Sequence, residues 1–508
     1  MSKKLIITLA AVIGILTTLI VPTTASADPA IHDVWPGQSI QDAVKAANLG
    51  DTILVHAGTY HQSVFIPKPG ITLQGESGTI LDGNYPSDPD TFLGTAAIIL
   101  SGSGITVEGL TIKHFNKEEP GDLKPKLGTG ISLMPSATDC YIRNNHIKIG
   151  LIGIKIGGQN NRVESNYMKG MLVSSISIVP SANGNLVQYN IGQHANTGAG
   201  IQVMGSGGNQ ILENEISGTA INGIALVDCP SNIVNNNHVS DSGHNGIMLL
   251  NANNNAVEGN HISNSGFNGI AVQDGAADNV VTGNHVTNSG IEDGGGIMLQ
   301  NADDNLVSDN QVTYSTGPGI SIEGTGNRVL ANRITDIQNQ GIAVFTIAEG
   351  NVVYDNRISS TQTGIGVGGS NNEIVENKVT GSASDGITIF PSASNNLVLG
   401  NKVTGSGEGG IVMHSSSFNE IADNHVTVSG LDGIVMIGAS SGNYVRDNYV
   451  SDSNENGIAA IKGASGNEIR ENHVMKSAIF DLFDENYPPL VTNLWQNNKY
   501  ETSNFPIP

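Results

Sequence analysis

Nine of the 23 basic residues fall in one short stretch: Lys113, Lys117, Lys124, Lys126, Arg143, Lys148, Lys155, Arg162 and Lys169. The next is Arg328, and 13 acids lie between Lys169 and it. The formal charge is −23, but salt screens distant acids within about 8–10 Å, so a local excess of cations can still draw an anionic sugar. A lysine of depressed pKa can abstract the proton α to a carboxyl, as a lyase or epimerase requires. Lys155 and His114 are the candidate bases, and Lys124, Lys126 and Arg143 the candidate holders of substrate carboxylates. The plainer account pairs Lys155 with Glu118, Glu119 or Asp122 in a surface ion pair.

A second constellation is acidic. Asp274, Glu292, Asp293 and Glu323 lie near an enlargement at Gly290–Gly295. Carboxylates so grouped would take Ca2+ or act as an acid/base pair in glycoside hydrolysis, although Asp also serves as an ordinary turn residue. His238, His261 and His285 recur at the same point of a repeat. Side chains about 4.8 Å apart make a ladder rather than a closed tetrahedral site. Farther along that column come Arg333, Arg357, Lys378 and Lys402, with Asp355, Glu376 and Asp423 two residues before Arg357, Lys378 and His425. This spacing predicts local ion pairs on an exposed sheet.

The elements that position these groups follow from the repeat. A phrase opening Gly-Ile and closing Asn-x-(Val/Ile)-(Thr/Ser) recurs fifteen times from Gly130 to Gly457, at intervals of 22–27 residues, with Ser175 replacing one glycine. Such a period marks a solenoid, whose units bury their apolar faces only by stacking. Each unit holds three short runs of period two bounded by Gly and Asn, which is strand chemistry. Three strands per unit leave only tight turns, so the fold class is all-β, a single-stranded parallel β-helix. The right-handed rule for parallel crossovers sets its hand. Asn precedes the third strand fourteen times, from Asn166 to Asn472. Its tolerance of left-handed turns and its amide predict an asparagine ladder.

Two and four residues after the opening glycine the first strand faces outward, yet many of these positions are apolar, among them Met248, Leu250, Phe345, Val412, Val435 and Ile461. That face is expected to be covered by a loop, a ligand or a second copy of the chain. Lys155 is a polar exception, with Ser132 and Ser177 as its predicted neighbours. The longest insertion, Phe115 to Gly128, enters one coil earlier.

The ends complete the domain plan. Lys3 and Lys4, an apolar run to Val21 and Ala25-Ser26-Ala27 predict a secretory signal peptide over 1–27. Its removal would leave no transmembrane segment and a net charge of −25. Such a chain should not bind nucleic acid. Ser39 caps a helix predicted to run through Asn48 and cover the first coil. The plan assigns 28–65 to the N-terminal cap and first coil, 66–475 to the β-helix and 476–508 to a C-terminal cap or tail. Cys140 and Cys229 lie about four coils apart, too far for a disulfide, and are expected as buried free thiols.

The stretch "PGQSIQDAVKAANLGDTILVHAGTYHQSVFIPKPGITLQGESGTILDG" and the Gly-Ile/Asn repeats resemble the pectin lyase-like superfamily of right-handed parallel β-helix proteins, of the carbohydrate-binding and sugar-hydrolysis type. The resemblance covers roughly residues 34–475 and implies the fold. It implies function only broadly, since the superfamily spans polysaccharide lyases, glycoside hydrolases, epimerases, phage adhesins and periplasmic copper-site accessory proteins. The Asp-Pro-His-Asp of alginate epimerases and the Arg-x-Pro-x-x-Arg of pectate lyases are missing. So is the Asn-Thr-Asp, Asp-Asp and Gly-His-Gly set of polygalacturonases, which Ser242-Gly243-His244-Asn245-Gly246 only approaches.

Two readings follow. One is a secreted lyase or hydrolase acting on an extracellular, uronate-containing polysaccharide, with Ca2+ as the cofactor its acids would take. The other is a non-catalytic surface, adhesion or periplasmic accessory solenoid that binds glycan or a partner, including its own copy, through the apolar strand face.

Overall fold

The structure is a computed structural model and describes residues 28–83, 96–117, 126–290, 294–487 and 492–506. The predicted signal peptide, Lys124, Glu292 and Asp293 lie outside the described residues. In the coil that opens at Gly200 the strands are Ile201–Met204, Gln210–Leu212 and Glu215–Ser217. Each pairs in parallel with the same strand one coil on: Ile201 with Ile224, Gln210 with Ile233 and Glu215 with His238. About 18 such turns wind into a right-handed β-helix. The second strands form a 20-stranded sheet. First and third strands merge into a 32-stranded one, because in four coils they run on as a single long strand, as in His146–Ile156 and Arg333–Val344.

Alternation decides what is inside. Ile201 and Val203 point into the bore while Gln202 and Met204 point out. Ile224 and Ile270 are fully buried in a core that runs the length of the molecule. The opening glycine is required by close approach. A Cβ on Gly223 would overlap Val239 Cγ1 of the third strand and the carbonyl oxygen of Gly246 in the next coil.

The asparagine ladder forms, with a difference in backbone. Asn237 donates from its backbone N and its Nδ2 to Asn260 Oδ1, at 2.9 and 3.0 Å, and from Nδ2 to the carbonyl of Ile211 at 2.8 Å. The left-handed residue is the one before each of these asparagines, such as Glu213, Asn236 or Asp309. The preceding residue makes the bend, and the asparagine closes it by satisfying buried backbone groups. A second ladder, including Asn209, Asn232 and Asn255, does the same before the second strand.

The helix spans Ile40–Ala46, with Ser39 as its N-cap, and ends two residues before Asn48 because Ala47 is already extended. Parallel pairing runs from the segment predicted as cap and first coil to the last coils. Ile31–Val34 pairs with Thr52–Val55, and Glu468–Arg470 with Leu494–Gln496. The segment predicted as a C-terminal cap or tail therefore contributes strands to the last coils. It is plugged by Asp484, whose carboxylate accepts from Trp495 Nε1 at 3.1 Å and Asn493 Nδ2 at 3.0 Å. Cys140 and Cys229 are free and buried.

Candidate active site in the late coils

The early basic stretch does not converge. The winding sends its residues to three faces. Lys113, Lys148 and Lys169 stack on the third strands. Arg143 and Arg162 lie on the second strands, bonded to Glu108 and Glu164 respectively. Lys155 faces outward on the first-strand side, between Ser132 and Ser177 as predicted. It is half-buried and makes no ion pair among the described residues. His114 is held by Asp82 at 3.0 Å, and Asp82 also meets Lys113 at 3.1 Å. Lys126 belongs to the strand Lys126–Leu127, which pairs antiparallel with Asn116–Lys117 as a short two-stranded ribbon. That ribbon lies beside the strand carrying Lys155.

Of the predicted acidic constellation, the described members Asp274 and Glu323 lie two coils apart. Glu323 sits on the outward column above Gln300 and Gln273. Asp274 follows that strand and accepts a 3.4 Å bond from Asn301. Among the described residues no three His, Cys, Asp or Glu side chains gather in a way that could hold a metal ion. His238, His261 and His285 form the expected ladder, with ring centroids 5.0 and 4.7 Å apart. Burial, and then its two like neighbours, hold the His261 imidazole below its usual range.

The first-strand face behaves in two ways. Two residues after the opening glycine most apolar side chains are buried, including Ala225, Ala271, Val412 and Val435, and Met248 is half-buried. The turn entering each strand supplies the cover: Asn222 Nδ2 lies 3.5 Å from Met248 Sδ, and Gly409 abuts Val412. Four residues after the glycine the column stays half open, as at Val227, Leu250 and Ile437, and Phe345 is 40% exposed.

In the late coils this face becomes a cavity of about 240 Å3. Val412, Val435, Ile437 and Ile461 make an apolar floor, and Asp385, Glu408, His414, Asp432, Glu455 and Lys462 line it. Asp385 and Asp432 occupy the residue before an opening glycine, two coils apart. At about 4.8 Å per coil their backbones are about 10 Å apart. Asp385 accepts from Thr388 Oγ1 at 2.9 Å and from the Gly409 amide at 3.0 Å. Asp432 is only 7% exposed, and its Oδ1 accepts two 2.9 Å bonds from Asn456. Burial raises both carboxyls above the usual Asp range. Burial shifts each carboxyl toward the protonated form that a general acid uses, while the hydrogen bonds from Thr388, Gly409 and Asn456 act against it. The sequence reading missed this pair. Its signal is that Asp stands before an opening glycine at positions 385 and 432 alone among the fifteen openings.

The family model for periplasmic copper-binding protein (NosD) matches residues 153–313, 197–363 and 311–506, more than two thirds of the chain together. The chain belongs to this family. Its described residues gather no His, Cys, Asp and Glu set for copper: the thiols of Cys140 and Cys229 are buried separately, and His238, His261 and His285 form a ladder. None of the curated proteins matches the chain significantly. Among solved structures it is similar to DFA-IIIase from Arthrobacter chlorophenolicus A6 without its lid, at 15% identity over 65% of this chain and 95% of that one, TM-score 0.48. The Dettilon tailspike protein is similar at 16% identity over 63% and 66%, TM-score 0.44. A mannuronic acid-specific polysaccharide family 6 lyase from human gut microbiota is similar at 13% identity over 65% and 86%, TM-score 0.44. These likenesses concern the winding of the coils alone.

Among the described residues no helix is long and apolar enough to cross a membrane.

Proposed function

We propose that the chain is a secreted β-helix that binds an extracellular glycan along its first-strand face and hydrolyses it at the late-coil cavity. The observation that carries the reading is the pair Asp385 and Asp432 on one apolar floor. Asp432, the more buried, is the general acid that protonates the leaving oxygen. Asp385, held by the Thr388 hydroxyl and the Gly409 amide, is the base that activates water. Carboxyls about 6.5–9.5 Å apart leave room for that water and invert the anomeric centre, and the two-coil spacing suits that range better than the about 5 Å of retaining enzymes. The cavity is below the roughly 300–1,000 Å3 of drug-sized ligand pockets, so it takes about one sugar ring, with the rest of the chain along the groove.

The test is reductive-sugar release from a polysaccharide panel, with and without Ca2+. Asp432→Asn should abolish it while glycan binding survives. Turnover that persists in Asp432→Asn but is lost in Lys155→Ala would place a lyase site in the early coils instead. The half-open positions of this column that are apolar, at Val227, Leu250, Phe345 and Ile437, favour a second reading, a non-catalytic solenoid that covers this face with its own copy. No turnover on any glycan, together with elution as a trimer, would decide for it.

A further inference from the structure

The third strands carry a feature that the cavity does not use. Arg333, Arg357, Lys378 and Lys402 stand directly opposite one another in consecutive coils. All four are exposed, and none makes an ion pair among the described residues. The expected pairing with acids two residues earlier does not occur. Asp355, Glu376 and Asp423 occupy the left-handed bend, at φ 49, 54 and 53°. The bend sends them toward the second strands, where Glu376 bonds the Tyr354 hydroxyl and Asp423 reaches Arg446 at 3.9 Å.

Like charges directly opposite on a sheet are destabilising, and on a chain of net charge −23 partners for them would be plentiful. A row of unpaired cations held against that cost is a row prepared for an anionic ligand. Its neighbours say which kind. Two residues on, and therefore on the same face, runs a column of hydroxyls: Ser359 donates to Thr335 at 3.1 Å, and Thr404 lies 3.1 Å from Thr427. At the far end the His425 and Tyr449 rings stack at 4.6 Å.

We propose that Arg333, Arg357, Lys378 and Lys402 form a binding strip for a linear acidic polysaccharide lying along the solenoid axis, one carboxylate to each coil. The guanidinium forks take carboxylates in bidentate fashion, and the hydroxyl column meets the sugar hydroxyls. No aromatic residue interleaves with the four cations, as stacking of single-stranded nucleic acid bases would need. The strip is one residue wide with acids on its flank, which suits a single polymer strand and not a membrane surface. It needs no hydrolysis at the cavity, although the two share the coils around residues 378–414.

Calorimetric titration with polygalacturonate oligomers at two salt concentrations tests the strip. Wild-type protein should bind, more weakly at the higher salt, and should ignore dextran. The double variant Arg357→Gln/Lys378→Gln should raise Kd at least tenfold, flatten the salt dependence and leave Tm unchanged or higher, since a like-charge column is relieved. Arg357→Lys/Lys378→Arg should keep most of the affinity, and Arg328→Gln, on the second-strand face, all of it. The proposal is overturned if wild type does not bind, if the neutralised variant binds equally well, or if the charge-preserving variant fails as badly. Equal or tighter binding of oligo-dT or phosphatidylglycerol vesicles would overturn it too, in favour of nucleic acid or membrane.

Discussion

The early coils, around residues 105–178, and the late coils, around 380–461, share one cross-section and differ in where charge is left unpaired. In the early coils opposite charges meet: Arg143 with Glu108, Arg162 with Glu164, Lys113 and His114 with Asp82. Among the described residues of the late coils opposite charges meet on the second strands alone, as at Arg446 with Glu420 and Asp447, while Lys402 stands unpaired on the third strands and two buried acids lie above the first strands. The difference lies in spacing. Residues close in sequence are carried round the coil to different faces, so the densest basic stretch is diluted in space. Residues one period apart become neighbours, so sparse charges at equal phase are concentrated.

The interior should not distinguish the two regions, and this is the largest effect to test. Ile154→Asp and Ile434→Asp each bury an unpaired charge at a fully buried site. Each should cost more than about 4 kcal/mol, read as a similar fall in Tm. A mild effect in one region alone would mean that its bore is not closed.

Function should distinguish them. Asp432→Asn should lower kcat by about 100-fold or more, the usual range for a lost general acid, with KM nearly unchanged. Lys155→Ala should leave turnover within about twofold by the same measure. The reverse result would invert the comparison.

The ladder offers an intermediate effect. Asn260 accepts from Asn237 and donates to Val234 and Asn284. Asn260→Ala leaves those buried groups unpaired, at about 1–3 kcal/mol each, which urea denaturation would measure.

The smallest effects are electrostatic. Burial raises Asp432 and Asp385 in the folded protein, so the folded state holds their protons more tightly than the unfolded chain. Their contribution is fully present below the unfolded pKa of about 4 and is lost as pH rises through the folded values. Asp432→Asn should flatten this decline in Tm between acid and neutral pH. In the early coils Glu108→Gln should cost at most about 1 kcal/mol, since Arg143 is partly exposed. A larger loss would mean that the early ion pairs are structural in a way the late coils are not.

Most of the fold was legible in the repeat. Lys155 between Ser132 and Ser177, the column from His146 to His473 and the inward Ile224 and Ile270 all follow from counting phase along the sequence. The left-handed bend was placed one residue late because the asparagine amide, not its backbone, is what recurs. The late-coil pair went unseen because each Asp reads as a turn residue until its coil is aligned with the others.

The sequence by itself determined the coil, its register and which side chains line the bore, because a period near 23 residues with alternating strands permits only one way of burying the apolar positions. Only the tertiary structure decided which charges meet. That depends on where each turn directs a side chain: toward a partner, as with Arg143 and Glu108, or away from one, as with Glu376 and Lys378. It also decided that the turns entering the first strands cover part of an apolar face and leave a cavity beside Asp432, since burial arises from several coils packed together.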